Sequence, residues 1–381
     1  MSEHRTRHQA GRGEIDPPEV TEPLVQTEAP PEGAAQVHVD DPEVQQRVRA
    51  LIDETAGGLA DKTDVRLTAE LVTAALKLIP DGRDTGELKL MTAAIKELRH
   101  AYRIFGQYPD NHKVTIFGSA RTPPDHPDYE SAVRFSRLMA SAGWMVITGA
   151  GDGIMRAGHE GPGRDASFGV AIRLPFETTA NEVIAGDEKL VHFRYFFTRK
   201  VMFLSQAEAV VIFPGGFGTM DEIFETLTLV QTGKAPTVPI VLVEGHKAPG
   251  SYWDRFESFV RQDLLGGGFI SSEDLGLMYR ARDAVDAAEH VIAFYRVYHS
   301  CRYVRDDFVI RIKRPLPESY LERLNDEFAV LVKRGKIVQR GPLELERGEH
   351  PELTRLVFEH TRYKFGLIRR LIDRINDAPE A

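Results

Sequence analysis

The sequence of 381 residues contains a single cysteine, Cys301, so no disulfide can form within one chain. Disulfides are typical of oxidising compartments, and their absence is typical of proteins in a reducing one. The chain also lacks an apolar run of the roughly 20 residues that span a bilayer. Its N-terminus has no apolar segment of the secretory kind. These absences predict a cytoplasmic protein without a transmembrane helix.

Basic residues are fewer than acidic ones, with 48 Lys and Arg against 57 Asp and Glu and a net charge of −9. This balance gives no electrostatic reason to expect a nucleic acid polymer or an anionic membrane as a partner. No cluster of His, Cys and Asp has the spacing of metal ligands, so we expect no metal and no organic cofactor. A hydrophobic content of 42% is enough for a sizeable core.

The N-terminal third of the chain differs in composition from the rest. Residues 1–40 are rich in Pro, Glu and Gly, and they cannot bury enough apolar surface to offset the entropy of ordering, so we expect a disordered tail. Residues 41–110 carry helical patterns and form a predicted helical segment. The last of these helices has an apolar stripe that must be covered by the main domain or by a second subunit: Leu88, Met91, Ala94, Ile95 and Leu98.

From 111 to 300, short apolar runs alternate with helical patterns. The runs include "KVTIFGSA", "WMVITGAG", "SFGVAIRLP", "AVVIFPGG", "TVPIVLVEG" and "GLMYRAR". Continuous apolar runs are typical of strands buried on both faces, and the alternation predicts an α/β fold with a doubly wound, Rossmann-like parallel sheet. Residues 301–381 form a predicted small α/β appendage that ends in one long helix over 350–377.

Glycine-rich turns follow three of these runs, at 118–120, 149–153 and 215–218. Glycine lets backbone N–H groups approach a ligand, and a helix N-terminus adds partial positive charge, so these turns are suited to a phosphate. The alternative is that each glycine only makes a tight turn. The spacing in 149–153 departs from the dinucleotide fingerprint G-x-G-x-x-G, and no P-loop motif is present, which disfavours hydride transfer and P-loop ATPases.

Glu222 lies just behind the last of these turns. In "TMDE", Thr219 and Glu222 have the form of a helix capping box, which is one interpretation. The other is functional, because Glu222 lies off the apolar stripe of its helix and therefore faces the turn. In a first helical turn its carboxylate is expected to be ionised. A cation should balance it beside a phosphate, and Arg199 and Lys200 on the preceding helix are the candidates.

The segments "GSARTPP", "TGAGDGIMRAGHEG", "YFFTRKVMF" and "PGGFGTMDE" occur in this order. Together they resemble the LOG family, once labelled "possible lysine decarboxylase", although no motif of a pyridoxal-phosphate lysine is found. The resemblance implies catalytic roles for Arg199 and Glu222. It further implies substrate-binding roles for Ser119, Gly151, Gly153, Met155, Gly215, Gly216, Gly218 and Thr219, with Lys200 beside them. Ala150 departs from the pattern, since the family usually has glycine there.

The known members of this family cleave the base from nucleoside 5′-monophosphates. The resemblance therefore implies an N-glycosidase that releases a free base and ribose 5-phosphate, and the layout is similar to that of the long bacterial nucleotide nucleosidases. A non-catalytic nucleotide carrier or sensor on the same fold is the alternative. A third hypothesis is a regulated enzyme whose appended segments bind a second nucleotide. The family typically forms dimers, so we expect a homodimer or a dimer of dimers.

Overall fold

The structure is a computed structural model that describes residues 38–56, 58, 62–173, 180–246 and 249–380. The predicted disordered tail therefore lies, up to residue 37, outside the described residues. The chain divides into two compact units, one of residues 19–96 and one that contains residues 97–381. The predicted domain boundaries near 40, 110 and 300 stay a prediction.

The smaller unit is helical where it is described. It contains α1 (Pro42–Ala56), α2 (Lys62–Lys77) and most of α3 (Thr85–Phe105). Val48 and Ile52 of α1 pack against Ala69 of α2. Large apolar side chains nevertheless remain exposed on this unit, and Ile95 of the predicted stripe is 44% exposed. The others include Leu51, Leu67, Leu71, Ile79 and Leu90.

The larger unit is built on a seven-stranded parallel sheet in the order β4-β3-β2-β1-β5-β6-β7. Its strands are β1 (Lys113–Phe117), β2 (Met145–Thr148), β3 (Ser167–Ile172), β4 (Leu190–Phe193), β5 (Ala209–Ile212), β6 (Ile240–Leu242) and β7 (Met278–Arg280). The predicted parallel sheet is confirmed, but the sequence interpretation missed β4. This edge strand has four residues, and only Val191 and Phe193 are buried, so it lacks the continuous apolar run of its neighbours.

Helices cover both faces of this sheet. They are α4 (Pro127–Ser141), α5 (Ile154–Glu160), α6 (Phe196–Ser205), α7 (Phe217–Gln231), α8 (Tyr252–Phe259) and α9 (Ala284–Phe294). One apolar core includes Phe135 and Val211, and a second includes Phe168, Phe203 and Ile223. None of the helices in the described part of the chain is both long and apolar enough to cross a membrane.

The strand order reverses direction between β1 and β5. From β1 the chain adds β2, β3 and β4 on one side, and then returns to place β5 on the other. In doubly wound sheets, the loops after two such strands diverge and leave a crevice at their carboxyl ends. The turns that follow β1 and β5 carry two of the three glycine-rich sequences, so the topology brings them to one crevice.

The C-terminal region forms a four-stranded antiparallel sheet in the order β10-β11-β9-β8. Its elements are β8 (Tyr298–Val304), β9 (Asp307–Ile312), α10 (Glu318–Glu327), β10 (Val332–Arg340), β11 (Thr354–His360) and α11 (Phe365–Asn376). The predicted long helix over 350–377 is therefore wrong. Lys364 takes a left-handed conformation with φ 64° between β11 and α11, and no glycine or proline marks that break in the sequence.

Three charged residues are buried together in this region. Glu346 is 1% exposed, and it accepts hydrogen bonds from Nε of Arg311 at 2.9 Å and Nε of Arg355 at 3.0 Å. Both arginines are also buried. A buried charge is tolerated when it is paired and hydrogen-bonded, and each member of this triad meets that condition.

Candidate functional site

A cleft of about 1040 Å³ opens at the carboxyl ends of the strands around the β1–β5 crevice. Its walls come from the turns after β1, β2 and β5, from the end of β3, and from α6 and α7. It is lined by all of the residues that the sequence predicted for the site except Gly153 and Lys200. Those that line it are Ser119, Gly151, Met155, Arg199, Gly215, Gly216, Gly218, Thr219 and Glu222.

The glycine loop between β5 and α7 is closely packed at one position and open at two others. A Cβ on Gly215 would lie 2.0 Å from Oγ1 of Thr219 and 3.0 Å from the backbone N of Ser119. A Cβ on Gly216 or Gly218 would meet no atom within 4 Å. Gly215 therefore lets the turns after β5 and β1 approach each other, whereas the other two keep the N-terminus of α7 accessible to an anion.

The capping-box interpretation of "TMDE" is wrong. The helix α7 begins at Phe217, and Gly216 is its N-cap residue with φ −91° and ψ −156°. Thr219 is consequently the third residue of the helix rather than its cap, and Glu222 lies in the following turn. Helix capping therefore does not explain the presence of Glu222.

Glu222 is a nearly buried carboxyl group in the wall of the cleft. Glu222 is 7% exposed, and its Oε2 has no hydrogen-bond partner among the described residues. Burial raises the pKa of Glu222 from 4.5 to about 7, against the opposing charges of Lys200 and Arg199 and with smaller support from Glu225 and Asp221. The expectation of a fully ionised carboxylate is therefore corrected, since close to neutral pH both protonation states are populated.

Arg199 is anchored between the end of β2 and the middle of β3. Its Nε donates a hydrogen bond to the carbonyl oxygen of Val170 at 2.9 Å, and its guanidinium lies 5.0 Å from the centre of the Phe203 ring. A Cβ on Gly149 would lie 2.5 Å from Nη2 of Arg199, so this glycine leaves room for the guanidinium. The positive charge of Arg199 lowers the pKa of Glu222.

Lys200 and Gly153 lie behind the lining of the cleft. Nζ of Lys200 forms ion pairs with Asp221 at 2.8 Å and with Glu225 at 2.5 Å. Gly153 precedes α5 with φ 60°, and a Cβ there would lie 2.3 Å from the carbonyl oxygen of Ser119. Both residues therefore support the site from outside the cleft wall, one through charge and the other through close packing.

A buried polar network holds the turn after β2, and apart from the unusual Ala150 no sequence pattern indicated it. This residue has φ 64°, a left-handed conformation that favours glycine. Its N–H donates to Oγ1 of Thr148 at 3.0 Å, while Nδ2 of Asn181 donates to the carbonyl oxygens of Ala150 and Gly151 at 3.1 and 3.0 Å. His159 contacts both Thr148 and Asn181, and burial lowers its pKa to about 4.

Further lining residues were missed by the sequence interpretation. Arg121 follows the turn after β1, and Arg173 directly follows β3. His192 lies on β4, the strand that was overlooked, and burial together with the charge of Arg173 lowers its pKa. Phe196 and Phe217 are exposed aromatic side chains of the lining, and Phe217 is 96% exposed. Position at or shortly after the carboxyl end of a parallel strand was the signal that could have found the two arginines.

The cleft therefore offers backbone N–H groups at a helix N-terminus, three guanidinium groups and one buried carboxyl group. The N–H and guanidinium groups are suited to binding an anionic ligand. The carboxyl group is suited to stabilising positive charge that develops when a bond of that ligand is cleaved. No group of three or more His, Cys, Asp or Glu in the described part of the chain could hold a metal ion.

Comparisons with solved structures return proteins of low identity. A molybdenum cofactor carrier protein from Chlamydomonas reinhardtii is 18% identical, with 48% of this chain and 96% of that chain covered and a TM-score of 0.34. A molybdenum cofactor binding protein from Rippkaea orientalis is 17% identical, with the same coverage and a TM-score of 0.35. DNA processing protein A from Helicobacter pylori is 11% identical, with 50% and 83% covered and a TM-score of 0.31. These low scores carry no argument about chemistry.

No curated protein matches the chain. Residues 149–291 match the family model described as Possible lysine decarboxylase. The matched segment begins at the turn after β2 and includes Arg199, the glycine loop after β5 and Glu222. The resemblance drawn from the sequence motifs is thereby confirmed over residues 149–291.

Proposed function

We propose that the protein hydrolyses the N-glycosidic bond of nucleoside 5′-monophosphates and releases a free base and ribose 5-phosphate. The observation that supports this most directly is Glu222, a nearly buried carboxyl group in the wall of a cleft that is also lined by three arginines. A protein that only carried a nucleotide would gain nothing from a buried acid beside its phosphate. Perturbed carboxyl groups in clefts are typical of catalytic sites.

The phosphate binds at the N-terminus of α7 in this proposal. Gly216 and Gly218 leave the backbone N–H groups of the loop accessible, and the positive end of the helix favours a dianion. Arg121 follows the neighbouring turn and adds an exposed positive charge to the same end of the cleft. The sugar then extends from the loop toward Arg199 and Glu222.

Cleavage develops positive charge on C1′ and on the ring oxygen, as in other glycoside hydrolyses. The ionised form of Glu222 stabilises this charge and accepts a proton from the water that attacks C1′. The bond between C1′ and the base nitrogen breaks, its electron pair goes to the base, and the base takes up a proton from solvent. Arg199 orients the sugar and keeps a fraction of Glu222 ionised through its charge.

The experiment is an assay of free base released from a panel of nucleoside 5′-monophosphates and from the corresponding nucleosides. We expect release from at least one monophosphate, and a much lower kcat/KM for the nucleoside, because the loop contributes binding energy only to the phosphate. A matched control is Arg134→Gln, which changes an exposed arginine on α4 away from the cleft. Equal rates on AMP and adenosine would contradict the role of the loop.

The non-catalytic carrier or sensor is the competing outcome of the same experiment. Tight binding of a nucleotide without release of base from any monophosphate would support it. We further propose a homodimer or a dimer of dimers, because the helical unit exposes large apolar side chains that a second subunit would cover.

A further inference from the structure

The cleft has two cationic ends. One end is the glycine loop after β5 together with Arg121 after β1. The other is formed by Arg173 after β3, with His192 of β4 beside it. Neighbouring strands lie about 4.8 Å apart, so the end of β3 is about 14 Å from the end of β5 across the order β3-β2-β1-β5. A phosphate at the loop therefore cannot also be held by the backbone around Arg173.

Arg173, which directly follows β3, and His192 of the adjacent strand β4 are neighbours at this end of the cleft. Ala171 is opposite His192 in the parallel ladder, so Arg173 extends just beyond it, and the backbone N of Arg173 donates to the carbonyl oxygen of Phe193 at 2.8 Å. Burial and the charge of Arg173 lower the pKa of His192. Arg173 is exposed, and no described carboxylate forms an ion pair with its side chain.

A nucleotide whose phosphate occupies the loop directs its base toward this second end. The sugar must lie beside Glu222 and Arg199 for the bond to break, and Arg199 is fixed between the end of β2 and the middle of β3. The base is attached on the far side of the sugar from the phosphate. The exposed side chain of Arg173, which starts three residues beyond Val170 along the chain, is then the described cation that faces the outer edge of the base.

We infer that Arg173 is a specificity-determining residue that binds the outer edge of 6-oxopurines, so that guanine and hypoxanthine monophosphates are preferred over AMP. This inference rests on the proposed function. A guanidinium presents a planar fork of donors, and O6 and N7 of a 6-oxopurine are two adjacent acceptors that match it. Adenine presents N7 beside an amino donor, which faces the fork with like polarity and leaves one N–H of Arg173 without an acceptor.

A general electrostatic effect of Arg173 would give a different preference among bases from hydrogen bonding by its planar guanidinium. A positive charge near the base strengthens binding of any electron-rich base to a similar degree, and lysine supplies it as well as arginine does. The fork requires two donors in a fixed plane, which lysine lacks. The variant Arg173→Lys therefore separates recognition of the two acceptors from a general electrostatic effect.

The experiment compares kcat/KM for GMP, IMP and AMP in the wild-type protein and in three variants. We expect the wild type to favour GMP and IMP over AMP by roughly tenfold or more. Arg173→Gln should bring this ratio close to one, and Arg173→Lys should not restore it. Arg121→Gln, at the phosphate end, should lower kcat/KM for all three nucleotides by a similar factor and leave the ratio unchanged.

A binding measurement makes the inference independent of turnover. Calorimetric titration of Glu222→Gln with GMP and with AMP should show the same preference, and Arg173→Gln introduced into that variant should remove it. If the wild type binds GMP preferentially but releases no base, the proposed hydrolysis fails and the base recognition stands. Equal kcat/KM for GMP and AMP in the wild type, or a ratio unchanged in Arg173→Gln, would overturn the inference.

Discussion

Replacing Glu222 with glutamine should change stability and activity in opposite directions. The substitution keeps the shape of the side chain and removes the ability to ionise. Burial raises the pKa of Glu222 from 4.5 to about 7. Each pKa unit corresponds to 1.36 kcal/mol, so keeping this group ionised in the folded state costs about 3 kcal/mol of stability.

The pH dependence of this cost has a defined sign. The unfolded chain loses the proton of Glu222 near pH 4.5, whereas the folded protein keeps it up to about pH 7. Because the folded state binds more protons in that interval, stability falls as the pH rises through it and the full cost is present above it. We therefore expect Glu222→Gln to be more stable than the wild type by up to about 3 kcal/mol at alkaline pH, and the difference to disappear in acid.

Activity should fall by roughly a hundredfold or more in the same variant, because the charge that stabilises the transition state is gone. Urea unfolding of both proteins across this pH range measures stability, and release of base from a monophosphate measures activity. Asp221→Asn is a suitable comparison, since Asp221 is a neighbouring acid that is paired with Lys200. An active Glu222→Gln protein, or one that is less stable than the wild type at alkaline pH, would refute the reasoning.

Three further predictions follow from the site and the helical unit. If ionised Glu222 is the active form, kcat/KM should rise with pH through about 7. Lys200→Met should shift the midpoint of this rise to higher pH by about one unit, because the charge of Lys200 lowers the pKa of Glu222. An unchanged midpoint would contradict the charge argument. Gly215→Ala should destabilise the protein by about 1–3 kcal/mol through overpacking. Gly218→Ala should keep the melting temperature but weaken nucleotide binding. If Gly218→Ala lost stability and Gly215→Ala did not, the assignment of Gly215 to packing and of Gly218 to ligand access would be wrong. Light scattering should give at least a dimer for the full chain and for a chain lacking residues 1–40, and a monomeric full chain would exclude the proposed assembly.

The parallel sheet could be predicted because its central strands are buried on both faces and therefore leave continuous apolar runs in the sequence. The edge strand β4 leaves no such run, since His192 faces the cleft and interrupts it. The boundary between β11 and α11 was missed for another reason. Lys364 supplies the left-handed turn without a glycine, and a residue type that rarely adopts this conformation gives no warning of it.

The site was predictable where it depends on local chemistry. The glycine loop and the Arg-Lys pair are contiguous motifs, and the structure brings Gly215, Arg199 and Glu222 to one cleft. What could not be predicted depends on topology. Arg121 follows β1 and Arg173 follows β3, and only β2 lies between these two strands in the sheet. Their side chains therefore line the same cleft although they are distant in sequence. Likewise, the pKa of Glu222 depends on burial by elements distant in sequence.

The buried triad of Arg311, Glu346 and Arg355 restricts how this protein can evolve. Loss of Glu346 removes the carboxylate that both buried arginines share, and loss of either arginine leaves Glu346 with one cationic partner in place of two. Breaking such a buried pair costs up to about 3–5 kcal/mol, which is a large part of the stability of a typical protein. An apolar replacement of all three would be tolerated, but each single step toward it passes through a destabilised chain. The three positions should therefore change together among descendants of this sequence, and the C-terminal sheet should keep its ion pairs long after the surrounding surface has diverged.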